Sequence, residues 1–341
     1  MSHFALVAAV VLGFALTAAV CHLIVPIGKV LEPPPAVRQP ELQPGPDQPE
    51  PQSKPAAPVW GGLCLMLGTL AAVGIGWTAV CVEQPELLSS GGTMLSRLLT
   101  GIFGAFAFGT IGLLDDLARI RSRSVLGLRL GPRLLLEAAA STVVLAMLAA
   151  ESAVPMGAVL PGGGYISFGL WAPVLWTVIL VALAECARVA EDADGLAGMA
   201  AFMAMLGLIL LETRFGVFPL AVLPGSIAGA LVALLVWSFP PAKLRTGRSG
   251  SLFLAGAIGC IPLSVGSAEL SLPLALPFWL EGGMVFLQIL SVRLAGRPIF
   301  SAAPLHRWLE KHGVGPTAVL CIMSVFGACG LALTMLAMRW Y

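Results

Sequence analysis

The sequence predicts an all-α, polytopic integral membrane protein of about ten transmembrane helices with both termini outside, and three observations carry that reading. Hydrophobic residues make up 58% of the 341 positions and charged residues only 11%, against about a quarter charged in an ordinary water-soluble domain. The apolar residues fall into runs of roughly 20, the length that crosses a hydrocarbon core. The basic residues gather in alternate connectors: 16 of the 19 Lys and Arg fall on one side, leaving Arg97, Arg214 and Arg339 for the other. The heavy side is the cytoplasmic one.

Taken in order, the spans are expected near 4–26, 59–81, 98–114, 133–150, 168–186, 195–211, 217–238, 251–268, 272–292 and 317–338. The first, Ala5 to Val25, has no basic leader and reads as an uncleaved helix. Between the first two spans the chain is proline-rich, and 29–58 reads as an extended cytoplasmic linker within a single membrane domain of 1–341. Later spans carry small residues spaced for close helix contact, as in "GIFGAFAFG" and "GSIAGA". The seven cysteines lie scattered in apolar runs without CxxC spacing, which suits buried thiols better than a disulfide framework or a zinc site. A formal net charge of +1 gives no sign of a nucleic-acid partner.

Chemistry-bearing residues concentrate on the basic side. "GLLDDLARIR" sets Asp115 and Asp116 at the end of the third span. Adjacent carboxylates at membrane depth are costly and invite a divalent cation, magnesium being one that takes one or two carboxylates plus phosphate oxygens. The alternative is a solvated pair balanced by Arg119. "ECARVAEDADGLAG" brings Glu185, Arg188, Glu191, Asp192 and Asp194. Glu185, Arg188 and Glu191 are three apart and read partly as an ion-pair ladder, while Asp194 is a natural N-cap. "KLRTGRSGSLFLAG" is a glycine-serine turn entering a span, whose free N–H groups suit an anion, beside Arg248 and Ser249. "APLHRWLEKHG" gathers His306, Arg307, Trp308, Glu310 and Lys311; Trp308 also reads as an interfacial anchor.

In this order, the segments resemble those of the polyprenyl-phosphate N-acetylhexosamine-1-phosphate transferases, in particular the muramoyl-pentapeptide branch. The resemblance covers nearly the whole chain. "APVWGG" is similar to the family's "TPTMGG", "GLLDDLARI" to its double-aspartate segment, "EDADGLAG" to "DGLDGLA", and "APLHRWLE" to "APIHHHYE". Lys54 resembles the lysine that precedes the first segment, and Arg133 stands where the family has a lysine. The resemblance implies ten spans and the transfer of a phospho-sugar from a UDP-sugar to undecaprenyl phosphate. It further implies UMP release, a need for Mg²⁺, and an active face on the cytoplasmic side of a bacterial inner membrane. Asp115, Asp116 and Asp194 would then serve the metal and the substrate phosphates, joined by His306. Lys54, Arg133, Glu191, Arg248, Ser249, Arg307 and Glu310 would line the substrate. A homodimer is an expectation by resemblance alone.

The departures fall on working positions. The family's "GDxGS", whose aspartate is a metal ligand, reads Gly247-Arg248-Ser249-Gly250-Ser251 here. The two asparagines of "NxxNxxDGxDG" become Glu185 and Arg188, its first aspartate Glu191 and its first glycine Asp192, and of the histidine run only His306 remains. An arginine cannot ligate Mg²⁺ and stays charged, so Arg248 is expected to pair with Asp115 or Asp116 and to substitute for the metal or block it. Glu185, Glu191 and Asp192 are the residues able to rebuild a shifted metal site. Two readings stand: a phosphoglycosyl transferase, and a catalytically inactive relative that binds lipid phosphate, nucleotide or a protein partner. A transporter is disfavoured, because the polar groups sit at the interface and not at the midplane; Glu281 is the one acid inside a span that such a reading would use.

Overall fold

Inside a hydrocarbon layer backbone N–H and C=O groups find no water, so each apolar run folds as a helix that pairs them internally. The computed structural model describes residues 4–31, 57–89, 92–122, 127–160 and 162–341. Its main helices are α1 (Phe4–Leu31), α2 (Gly61–Glu83), α3 (Thr93–Ser122), α4 (Leu130–Ala150), α5 (Ala172–Ala190), α6 (Leu196–Arg214), α7 (Val222–Ser238), α8 (Gly247–Ser264), α9 (Leu276–Ala295), α10 (Leu305–Lys311) and α11 (Pro316–Ala337). Lys54 and nearly all of the 29–58 linker lie outside the described residues.

Among the described residues nine helices are long and apolar enough to cross a membrane, one fewer than the ten expected. The difference is the predicted span 251–268. A helix is there, α8, but it starts four residues earlier and takes the polar Gly247–Ser251 turn into its first coil. All 18 residues of α8 are buried, against α2, α3, α5 and α6. A helix enclosed by other helices meets no lipid and tolerates polar residues that an outer span does not. The outer helices show the reverse pattern: Phe14, Leu70, Val143, Val178, Val236, Phe286 and Leu333 are exposed, an apolar surface suited to lipid.

Two further differences place the site. α3 runs on to Ser122 where its span was expected to stop at 114, so Asp115 and Asp116 lie within a continuous helix. The chain before α9 breaks into short turns at Ala268–Leu270 and Ser271–Leu274, and Gly282 then lies against Cys186, near the end of α5. Glu281 is thereby carried toward the same end of the bundle as Asp115. At the other end of α8, an antiparallel hairpin of β1 (Gly157–Leu160) and β2 (Gly164–Ser167) was not anticipated. Its Val159 N–H donates to Glu269 Oε1 at 2.7 Å, and the Tyr341 hydroxyl donates to the same oxygen.

The core seam runs between α3 and α8. Small residues let the two backbones meet: a side chain at Gly104 would strike Cys260, and one at Gly112 would strike the backbone of Arg248 and Ser249. The second of these contacts sets the distance between Asp115 and the start of α8.

Candidate functional site

The site forms where the last turns of α3 meet the first turn of α8. Gly247 adopts φ 72°, and a Cβ there would meet the Val59 carbonyl and Asp116 Oδ2. A side chain at this position would therefore be strained as well as crowded. The backbone N–H groups that follow are unpaired within the helix, as at every helix start. Arg248 N–H donates to Asp116 Oδ1 at 3.2 Å and Ser249 N–H to Asp116 Oδ2 at 2.9 Å. The helix start that suits an anion or phosphate is filled by the chain's own Asp116: the carboxylate caps α8 from α3, where the helix dipole favours negative charge.

Asp115, one residue earlier, is held differently. Arg248 Nη1 lies 2.6 Å from its Oδ2, a charge-assisted hydrogen bond of short length. Leu128 N–H donates to its other oxygen. Asp115 is fully buried, Asp116 is 3% exposed and Arg248 9%. Of the two partners considered for the aspartates, Arg119 on the same helix and Arg248, the contact observed is with Arg248, 133 residues later.

Around this pair, arginines meet carboxylates. Arg133 on α4 makes a bidentate contact with Glu185 on α5, Nε to Oε1 at 2.8 Å and Nη2 to Oε2 at 2.9 Å. Arg188 lies 3.1 Å from Glu185, completing one step of the expected ladder. Glu191 leaves that ladder and pairs with Arg245 at 3.3 Å. Arg245 also donates to the backbone carbonyls of Glu191 and Asp192. Its own backbone is fixed by the "APVWGG" segment, since Gly61 N–H donates to Arg245 O and Arg245 N–H to Pro58 O. Asp194 does not act as an N-cap: Gly195 occupies that position, and Asp194 Oδ2 accepts from Ala242 N–H at 3.1 Å.

His306 is 2% exposed. Its Nδ1 lies 2.9 Å from Glu281 Oε2, and its backbone N–H donates to Glu281 Oε1 at 3.1 Å. This accounts for the acid inside the ninth predicted span as a fold contact between α9 and α10. The ring therefore faces the protein at Nδ1. Beside it, Arg307 and Glu310 are exposed. Arg307 reaches Asp192 at 3.2 Å, which joins α10 to the α5–α6 turn. Trp308 packs on His312 with ring centroids 4.2 Å apart.

Asp115, Asp116, Arg248, Ser249, Glu191, Arg307 and His306 are thus linked into one charged end, and Asp194 stands on the same turn as Glu191. Arg133 holds Glu185 at this end and lies 3.9 Å from Glu137, which is fully buried. Sequence reasoning passed over Glu137 and gave Arg245 no partner. The signal for the first was an acid inside the predicted 133–150 span, four residues after Arg133. For Arg245 there was none, because its partner is 54 residues away in sequence.

Magnesium does not suit this donor set. It demands near-octahedral oxygen ligands at short range. Asp115 is engaged by a guanidinium and Asp116 by two N–H donors, and Arg248 has no lone pair to give. Among the described residues no group of three or more His, Cys, Asp or Glu side chains is placed to hold a metal ion.

Comparison with known proteins gives consistent relatives. The model of the family described as glycosyl transferase family 4 matches residues 98–266. A protein of Desulforudis audaxviator named phospho-N-acetylmuramoyl-pentapeptide-transferase is 30% identical over 298 residues, covering 82% of this chain and 85% of its own. Proteins of the same name from Clostridium kluyveri and Pelotomaculum thermopropionicum are 29% and 27% identical, each over at least 80% of both chains.

Proposed function

This chain belongs to glycosyl transferase family 4, and from that premise we propose that it transfers a phospho-sugar from a UDP-sugar to polyprenyl phosphate at the cytoplasmic face of a bacterial inner membrane, releasing UMP. The names of its relatives point to phospho-MurNAc-pentapeptide as the group moved. In such a reaction an oxygen of the lipid phosphate attacks the sugar-bearing phosphorus. The bridging P–O bond of the pyrophosphate breaks, and UMP leaves with the electron pair. Phosphoryl transfer of this kind depends on positioning and charge neutralisation more than on covalent chemistry.

The observation that carries the reading is the single charged end, in which Asp115 and Asp116 of α3, Glu191 at the end of α5, and His306 and Arg307 of α10 converge. The groups open to solvent there suit an anionic donor: Lys243, Arg307 and Lys311 are exposed and Arg245 is half-buried. In this reading these cations meet the UDP-sugar, while the buried pairs beneath fix the frame that holds it. No step is assigned to a metal.

A second reading, a relative that binds these ligands without turnover, is favoured by one specific contact. Arg248 holds Asp115 at 2.6 Å, and a carboxylate so engaged by the chain's own cation is less free to meet a substrate. Measuring UMP release by the purified protein with UDP-MurNAc-pentapeptide and undecaprenyl phosphate separates the two. UMP release that disappears in Asp116→Asn supports the transferase. Retained UDP-sugar binding without UMP release supports the binding-only relative.

A further inference from the structure

We propose that Arg248 is a built-in replacement for a divalent cation, so that this charged end assembles and binds its ligands without a metal. The inference takes from the proposed function only the ligands that the end would meet; its metal claim stands on geometry.

The guanidinium sits where two adjacent buried carboxylates call for positive charge. Leaving Asp115 and Asp116 ionised and uncompensated at this depth would be costly. The compensation is supplied entirely by the chain. Arg248 contributes its side chain to Asp115 and its backbone N–H to Asp116, and Ser249 N–H completes the second carboxylate. One residue therefore bridges both aspartates, the role that a shared cation would otherwise take. A dication approaching these oxygens must displace the 2.6 Å contact and share a low-dielectric site with a fixed positive charge, which repels it.

A second feature points the same way independently. Glu185 and Arg188 carry opposite charges one helical turn apart at the end of α5. Here they form a closed set with Arg133, at 2.8 Å and 3.1 Å. In both places the carboxylates are answered by arginines of the chain itself. The whole end is organised by arginine–carboxylate pairing: Arg248 with Asp115, Arg133 with Glu185, Arg245 with Glu191 and Arg307 with Asp192.

The test uses the full chain in detergent or lipid nanodiscs, with Mn²⁺ as a spectroscopic probe for a divalent site and thermal unfolding recorded with Mg²⁺ or with EDTA. The parent protein should bind no Mn²⁺ at this end and unfold at the same temperature in both conditions. Arg248→Asp should gain a Mn²⁺ site, with affinity raised on the order of tenfold or more over the parent, and its unfolding temperature should rise on adding Mg²⁺. The proposal is overturned if the parent binds Mn²⁺ and loses that binding in Asp115→Asn or Asp116→Asn. Should Arg248→Asp fail to fold, the parent measurement still decides, and Arg248→Gln, which removes the charge without adding another, serves as the second variant. Failure of the parent to release UMP would count against the proposed transferase and leave the metal result intact.

Discussion

The Asp115–Arg248 contact and the Glu281–His306 contact are both buried pairs that join distant parts of the chain, yet they are built on different principles. In the first, each aspartate has its own donors and the arginine bridges the two, so the α3–α8 junction is closed by charge. In the second, one carboxylate accepts from both the ring and the backbone N–H of a single residue, so the contact acts mainly as a clasp that seats α10. A closed charge pair is worth little compared with a packed apolar junction but is expensive to break on one side. A clasp to a backbone N–H survives a change of charge as long as an acceptor remains.

Four substitutions sharpen that difference. Arg248→Ala leaves the fully buried Asp115 without its cation and should cost about 3–5 kcal/mol, read as a lowered midpoint of denaturant unfolding in detergent micelles. Gly112→Ala, which puts a methyl group against the Arg248 and Ser249 backbone, should cost about 1–3 kcal/mol by prising α3 from α8. It should leave the α9–α10 clasp untouched, as judged by protection of the His306 amide from hydrogen exchange. Glu281→Gln keeps an acceptor for that amide and should cost about 1–2 kcal/mol, measured by the same unfolding assay. A loss as large as that of Arg248→Ala would erase the distinction between the two contacts. Smallest is Arg307→Ala: its pair with Asp192 is about half exposed on both sides, and it should shift stability by less than about 1 kcal/mol. Its effect should fall on the KM for the UDP-sugar.

Much of this was legible in the sequence. Hydropathy gave the helices, and the doubled aspartate, the glycine-serine turn and His306 marked residues that the structure brings to one charged end, the candidate site. What escaped has physical reasons. α8 fell short of the apolarity of a membrane-crossing helix because burial by protein, and not by lipid, decides which residues it tolerates. Asp194 looked like a cap because spacing reveals local partners alone, whereas its observed partner is the Ala242 N–H. The switch of Glu191 from the α5 ladder to Arg245 depends on a loop fixed by Pro58 and Gly61, a contact between segments that share no periodicity. Pairing of Arg248 with one of the aspartates was readable once the resemblance set Arg248 at a metal-ligand position, but the division of labour between them was not. It follows from the tight α3–α8 approach at Gly112 and from the backbone turn at Gly247.

Whether Arg248 and Asp115 neutralise one another can be read from a double-mutant cycle of Arg248→Gln and Asp115→Asn, with unfolding free energy measured for the parent, both single variants and the double. Mutual neutralisation predicts that each single variant is destabilised by its stranded charge and that the double variant recovers much of the loss, giving a coupling of about 1–3 kcal/mol. Additive losses, with the double variant as unstable as the sum of the two singles, would contradict it.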